Sequence, residues 1–208
     1  RAPRRDRLRE QEAGGVRMSS NASPAPERDG ADLDRSRVRV LGLGNVLMGD
    51  DAAGPWAIEE LLARWAFPDG VVVADLGTPG LDLIPFLAGA EAVVLVDTVK
   101  ADGPPGTLKL YRRDEILRHP PVPRVSPHDP GVKEALLTLE LAGGAPAEVI
   151  LVGVVPGSVA KSVALTPAVR DAVGRAAAEV VRILGEMGLA PAPRPDPRPV
   201  EPWWTRSA

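Results

Sequence analysis

The chain has 208 residues, and 44% of them are hydrophobic, which is enough for a single α/β domain with a full core. Its formal net charge of −3 argues against binding to nucleic acid or to a membrane surface, because those partners select for concentrated positive charge. There is no cysteine, which excludes disulfides, thiol nucleophiles and thiolate metal sites, so Asp, Glu and two histidines remain as strong metal ligands.

The two ends of the chain differ in composition from its middle. Residues 1–36 are rich in Arg, Asp, Ser, Ala and Pro without apolar periodicity, which predicts a disordered leader, and Met18 within it is a candidate start. Residues 190–208 carry proline at nearly alternate positions, which predicts an extended tail. Trp203 and Trp204 near its end either dock on the domain or on a partner or stay unpacked, and we favour docking. Residues 37–189 form the predicted domain, and the absence of a membrane span or a signal-peptide pattern predicts a cytoplasmic protein.

Strand and helix patterns alternate through this domain. Four apolar runs are continuous, which predicts strands buried on both faces, and a fifth run alternates apolar with polar residues, which predicts an edge strand. The alternation predicts an α/β fold with a mainly parallel sheet between helices on both faces. The predicted strands are residues 38–44, 70–77, 90–99 and 147–155 with the edge strand at 106–112, and the predicted helices are residues 53–65, 81–87, 131–141 and 167–187, the last with Thr166 as N-cap, Pro167 as first residue and Gly185 or Gly188 at its end.

Acidic residues follow three of the predicted strands. Asp50 and Asp51 come after the first strand, Asp75 ends the second and Asp97 ends the third. In this architecture ligands bind at the carboxyl ends of the strands, so these carboxylates are expected at one edge of the sheet. His128 joins them as a candidate, because two prolines bracket it in the loop VSPHDPG and hold the side chain in a fixed place.

Each of these residues also has a purely structural interpretation. Gly42 and Gly44 can serve a tight turn, and they lack the third glycine of a dinucleotide-binding fingerprint. Asp50 can be a helix N-cap or a first-turn charge, Asp97 can cap the loop that follows its strand, and His128 can be an ordinary loop residue. No residue identifies a function alone.

Several short motifs together resemble the endopeptidases that mature NiFe hydrogenase large subunits. The motifs occur in order and cover residues 38–189, nearly the whole predicted domain. The resemblance implies a compact three-layer α/β/α sandwich with a central sheet of about five strands. It also implies a protease that removes a C-terminal extension from the large-subunit precursor after nickel has been inserted. The motifs are GLGNVLMGDDAAG, DLGTPG, VVLVDTV, SPHDPG, LVGVVPGSV and ALTPAV.

The same resemblance assigns metal recognition to Asp51, Asp97 and His128. Some members carry Glu where Asp51 stands, and Leu76 and Ala52 occupy positions where glycine is common in the family. None of these departures removes a ligand. Two carboxylates and an imidazole suit a divalent ion of borderline hardness, such as nickel or zinc.

The role of the metal and the hydrolytic group stay open at this point. A resident metal can polarise the scissile carbonyl and activate water. Alternatively, the nickel belongs to the precursor and the protease senses it. In that case Asp50 is the spare candidate for a general base, and backbone amides of the GLGN turn stabilise the oxyanion.

We expect a monomer whose partner is the large-subunit precursor. The rival functions are a non-proteolytic assembly factor that checks nickel occupancy, and a phosphate- or nucleotide-binding module, which the adjacent carboxylates disfavour.

Overall fold

The computed structural model describes residues 36–118 and 131–205. Short 3₁₀ turns precede the first two helices, at Gly49–Ala52 and Gly80–Leu83, and a third 3₁₀ turn covers Trp203–Thr205. The strands are β1 (Val38–Leu43), β2 (Trp65–Ala66), β3 (Val71–Gly77), β4 (Ala92–Thr98), β5 (Leu108–Arg112), β6 (Glu148–Val154) and β7 (Ala192–Pro193), and the helices are α1 (Ala53–Arg64), α2 (Ile84–Leu87), α3 (Arg113–Arg118), α4 (Val132–Ala142) and α5 (Pro167–Glu186).

A five-stranded sheet with the order β3-β1-β4-β6-β5 forms the centre of the molecule. Neighbouring strands are parallel except for β5, which pairs antiparallel with β6 at the edge. Three buried parallel strands (β1, β4 and β6) and the antiparallel edge strand β5 confirm the mainly parallel α/β fold. The prediction for residues 70–77 was wrong in one respect: β3 is parallel but lies at the other edge of the sheet, where five of its seven residues are only half-buried.

Helices cover both faces of this sheet. In β1, Val38 and Val40 pack in one apolar cluster with residues of α1 and α5, whereas Leu41 and Leu43 pack in a second cluster with residues of α2 and α4. Successive side chains of a strand point to opposite faces, so a strand between two helical layers must be apolar at nearly every position. The three-layer α/β/α arrangement is therefore confirmed.

The helix bounds agree with the sequence predictions in three of four cases. The predicted helix at residues 81–87 is divided into a 3₁₀ turn and α2, whose second residue is Pro85. Proline suits the first turn of a helix and not its interior, so the α-helical geometry starts at Ile84. Helix α3 was not predicted. Within the two described ranges, no helix is both long enough and apolar enough to cross a membrane.

Gly54 brings α1 close to the carboxyl ends of two strands. A Cβ atom on Gly54 would lie 2.2 Å from the carbonyl oxygen of Leu43 in β1 and 2.4 Å from that of Val96 in β4. Any other residue would force the helix away from the sheet. The close approach places the 3₁₀ turn at Gly49–Ala52, which carries Asp50 and Asp51, directly over the edge where β1 and β4 end.

The C-terminal segment packs along α1. Strand β7 pairs antiparallel with β2, and the amides of Arg194 and Arg198 donate to the carbonyl oxygens of Arg64 and Ala63 at the end of α1. These bonds satisfy carbonyls that a helix end leaves without partners.

Of the two tryptophans for which docking is favoured, one is observed to dock on the domain. It is Trp204, which is 8% exposed and contacts the ring of Trp56 edge-on with centroids 5.9 Å apart, whereas Trp203 is 67% exposed.

Removing residues 192–208 is expected to lower the thermal midpoint by several degrees. The truncation exposes the apolar surface that Trp204 covers on α1, and loss of a buried tryptophan side chain costs about 3–5 kcal/mol. Thermal unfolding of the full chain, the truncated chain and Trp204→Ala measures the effect, with Trp203→Ala as the matched control because its ring is exposed. A midpoint of Trp204→Ala equal to that of the full chain would show that the ring of Trp204 adds nothing.

Candidate functional site

Asp51, the first site residue, lies in the 3₁₀ turn at Gly49–Ala52, which follows β1. The amide of Gly44 donates to the carbonyl oxygen of Gly77 at 2.8 Å, and a Cβ atom on Gly44 would lie only 1.8 Å from the carbonyl oxygen of Asp51. The backbone therefore folds back tightly on the 3₁₀ turn. Asp51 is 2% exposed, and its Oδ2 atom accepts a hydrogen bond of 2.9 Å from the amide of Asn45.

Thr98 connects Asp51 with Asp97. Its hydroxyl group donates to Oδ1 of Asp51 at 2.9 Å, and its amide donates to Oδ1 of Asp97 at 2.6 Å. The expected convergence of carboxylates at the carboxyl edge is thus present for this pair. Asp75, the third carboxylate expected at this edge, lies on β3, and its Oδ1 atom accepts from the amide of Gly77 at 2.9 Å.

The pKa of Asp97 is strongly perturbed. Burial and, second to it, the negative charge of Asp51 raise the pKa of this carboxyl group to about 8, although hydrogen bonds from Thr98 act in the opposite direction. Asp97 therefore holds its proton at neutral pH. A carboxyl group that lies at a strand end beside a second carboxylate, with a pKa raised this far, is a candidate for a functional site.

Asp50 has a different environment from its neighbour. The side chain is completely buried, and its Oδ2 atom accepts from the amides of Gly157 and Ser158 at 2.7 and 2.9 Å. The hydroxyl group of Thr166 also donates to Oδ2 at 2.8 Å, and the amide of Thr166 donates to Oδ1 at 2.6 Å. Asp50 makes no cap bond in its own turn; instead it ties this turn to the loop after β6 and to the start of α5.

These contacts argue against two catalytic roles considered from the sequence. Four donors bond to the Asp50 carboxylate, three on Oδ2 and one on Oδ1, and the side chain is completely buried, so this group is engaged in the fold and is poorly placed to activate water as a general base. The amides of Gly44 and Asn45 in the GLGN turn already donate to Gly77 and Asp51, so they are not free to stabilise an oxyanion. Thr166 occupies the predicted N-cap position of α5, but its hydroxyl group bonds to Asp50 and not to the helix.

Comparison with known families identifies the group to which the chain is related. The family model described as hydrogenase maturation protease matches residues 55–183, which is more than half of the chain. The chain belongs to the hydrogenase maturation protease family. This membership supports a hydrolase of the endopeptidase type, and it favours that function over a nucleotide-binding module.

Individual relatives agree with the assignment. The hydrogenase 2 maturation protease of Escherichia coli is 34% identical over 161 residues, which are 76% of this chain and 96% of the relative. The hydrogenase expression/formation protein HupD of Bradyrhizobium diazoefficiens is 34% identical over 163 residues, or 78% of this chain and 85% of the relative. The solved structure of the hydrogenase maturating endopeptidase HybD from E. coli superposes with a TM-score of 0.70 at 34% identity, covering 77% of this chain and 99% of that one.

His128, the third residue assigned to the metal, lies outside the described residues of this maturation protease, as does Asp129. Within residues 36–118 and 131–205, no group of three or more His, Cys, Asp or Glu side chains is arranged to hold a metal ion. The structure therefore brings together Asp51 and Asp97 and leaves the position of the imidazole a prediction.

Sequence reasoning missed two hydroxyl residues that organise the site. Thr98 is 3% exposed and sits on the face of β4 opposite to Asp97. A polar residue at the end of an otherwise continuous apolar strand is the signal that could have identified it, because a buried hydroxyl group needs a partner. Nothing in the sequence pointed to a second role for Thr166, because a threonine before Pro167 is already explained as the N-cap of the last helix.

Proposed function

We propose that this protein is an endopeptidase that removes the C-terminal extension of a NiFe hydrogenase large-subunit precursor after nickel has been inserted. Membership in the hydrogenase maturation protease family supports the reaction class. The observation that carries the proposal is the pairing of Asp51 and Asp97 through Thr98 at the carboxyl edge of the sheet, where ligands bind in this architecture.

Asp51, Asp97 and His128 recognise the nickel ion of the precursor in this proposal. Two carboxylate oxygens and one imidazole nitrogen form a donor set that suits a divalent ion of borderline hardness. The nickel is part of the substrate, and its binding to the Asp97 carboxylate would release the proton of Asp97 to solvent. Without a cation, the burial and the negative charge that raise the pKa of Asp97 keep this carboxyl group neutral.

The direction of α4 supports the place of His128 in this set. The amide of Gly89, just before β4, donates to the carbonyl oxygen of Gly144, just after α4, at 3.3 Å, so α4 ends at the amino edge of the sheet. The helix has 11 residues and is therefore about 16 Å long. Its first residue, Val132, lies toward the carboxyl edge, and His128 precedes Val132 by four positions in the sequence.

Cleavage of matched precursors tests the proposal. The purified protein is incubated with nickel-loaded and nickel-free large-subunit precursor, and the length of the large subunit is measured. We expect shortening of the loaded precursor alone, and little effect when loosely held metal is stripped from the protease before mixing. Cleavage of the nickel-free precursor by a protein that must first be loaded with zinc would instead identify an ordinary metallopeptidase. Binding of the loaded precursor without shortening would identify a non-proteolytic assembly factor.

His128→Ala is expected to abolish cleavage with little change in thermal midpoint, because a loop ligand at an open site supports little of the core.

Cleavage by the unaltered protein is expected to fall as the pH drops through about 6, since protonation of an imidazole with an ordinary pKa near 6.5 removes the lone pair that binds metal. Rates of cleavage between pH 5 and 8, with circular dichroism as the control for folding, measure both effects. Unchanged activity at pH 5 would remove His128 from the site.

A further inference from the structure

We propose that Thr98 is a positioning residue, whose hydroxyl group holds the carboxylate of Asp51 in the orientation that recognises the nickel-loaded precursor. The inference rests on the proposed function, because it assigns to Asp51 a contact with the substrate's nickel. Thr98 itself does not touch the metal or the scissile bond.

The contacts of Asp51 fix its side chain from two sides. The hydroxyl group of Thr98 donates to Oδ1 at 2.9 Å, and the amide of Asn45 donates to Oδ2 at 2.9 Å. An ionised carboxylate has about four accepting positions, so two donors leave room for a cation while they prevent rotation of the group. Removal of the hydroxyl group leaves the amide of Asn45 as the single donor identified on this carboxylate within the described residues, and the orientation is then no longer fixed.

Thr98 is itself held rigidly. It is the last residue of β4, paired in register with Val154 of β6, and it is 3% exposed. Its amide donates to Oδ1 of Asp97, so one residue contacts both carboxylates of the pair. A donor on a central strand fixes its acceptor within the few tenths of an ångström that recognition of a metal demands, better than a donor on a surface loop would.

The core alone does not require a hydroxyl group at position 98. Val94 and Val96, which share the face of β4 with Thr98, belong to the apolar cluster with α1 and α5. Valine has the shape of threonine and would suit the same environment, so the hydroxyl group serves Asp51 and not the packing. Loss of a partner that orients a metal-binding group typically costs about 10–100-fold in affinity or activity.

Four variants at two positions test the inference. Thr98→Val removes the hydroxyl group and keeps the shape, and Thr98→Ser and Thr98→Ala form a pair that differs only in the hydroxyl group. Thr138→Val is the matched control, because Thr138 is exposed on α4 and its hydroxyl group donates only to the carbonyl oxygen of Glu134. The values of kcat and KM are measured for cleavage of the nickel-loaded precursor, with the thermal midpoint of every variant.

We expect kcat/KM to fall about 10–100-fold in Thr98→Val and Thr98→Ala, mainly through KM, because the contact with nickel forms when the substrate binds. Thr98→Ser and Thr138→Val should stay within about threefold of the unaltered protein. If Thr98→Val does not fold, the values of kcat/KM of Thr98→Ser and Thr98→Ala are compared instead, because these two variants differ only in the hydroxyl group. Equal activity of Ser and Ala would overturn the inference while leaving the proposed function intact. An unaltered protein that does not cleave the loaded precursor would overturn the proposed function itself.

Discussion

Asp97→Asn is expected to increase the free energy of unfolding at pH 8 and to reduce cleavage of the nickel-loaded precursor by about 100-fold or more, beyond the usual loss for a residue that only supports a metal ligand. The two effects have opposite signs because burial makes the ionised carboxylate unfavourable in the free protein, whereas the proposed recognition of nickel requires that carboxylate. Asparagine keeps the Oδ1 atom that accepts from the amide of Thr98, so the local hydrogen bond is retained.

The dependence of stability on pH follows from the pKa of Asp97. In the unfolded chain this group has a pKa of 3.8, and in the folded protein burial and the charge of Asp51 raise the pKa to about 8. Between these values the folded state binds a proton that the unfolded state lacks, so the stabilising contribution is complete below pH 4 and is lost as the pH rises toward 8. The loss is at most about 1.4 kcal/mol for each pH unit, the limit for a single proton.

Urea denaturation of the unaltered protein and Asp97→Asn between pH 4 and 9 measures this difference. The stability advantage of the variant should grow as the pH rises and should level off near pH 8, where the group ionises in the folded state as well. Asp82→Asn is the matched control, since Asp82 is exposed on a 3₁₀ turn and is expected to change stability little. A constant difference at every pH would show that Asp97 is not protonated in the folded protein.

The sheet and its layers were predictable because burial on both faces leaves a direct pattern in the sequence. A strand such as β4 must be apolar at successive positions to face two helical layers, and Asp97 interrupts that pattern where the strand ends. The order of the strands and the antiparallel direction of β5 need contacts between distant segments. The alternating pattern of residues 106–112 indicated only that this strand lies at an edge.

Polar contacts inside the fold were harder to predict. Arg39 occurs in a run that predicts a buried strand. The residue is 3% exposed, and its guanidinium group donates to the carbonyl oxygens of Phe86 and Ala88 at 3.0 Å. These partners are remote in sequence, so nothing local in the pattern indicates them. The same holds for Asp50 and Thr166, which are 116 positions apart and joined by hydrogen bonds of 2.6 and 2.8 Å.

The pairing of Asp51 with Asp97 was predictable from the rule that parallel strands end at one edge, whereas the different fates of adjacent Asp50 and Asp51 were not. Both lie in the same 3₁₀ turn, but a turn of about three residues directs successive side chains to different sides. Only the positions of β6 and α5 show which carboxylate meets the donors of the loop after β6.

Asp50→Asn is expected to lower the free energy of unfolding by about 3 kcal/mol, because it leaves buried donors without an acceptor. Asparagine has one oxygen and one amino group in place of two oxygens. If the oxygen faces Gly157, Ser158 and the hydroxyl group of Thr166, the amino group faces the amide of Thr166, where two donors repel; the opposite orientation confronts three donors.

Stability and activity of this variant together separate a structural role of Asp50 from that of a general base. We expect the loop after β6 and the start of α5 to loosen, with a large fall in the urea midpoint, while the fraction that is folded at low temperature still cleaves the nickel-loaded precursor within about tenfold of the normal rate. Asp82→Asn again serves as the control for the chemical change at an exposed position. Loss of a base would give the reverse result, a normal urea midpoint with kcat reduced by about 100-fold or more. Since four hydrogen bonds hold the Asp50 carboxylate in the buried site, its effect should be on folding first and on catalysis only through the position of the neighbouring Asp51.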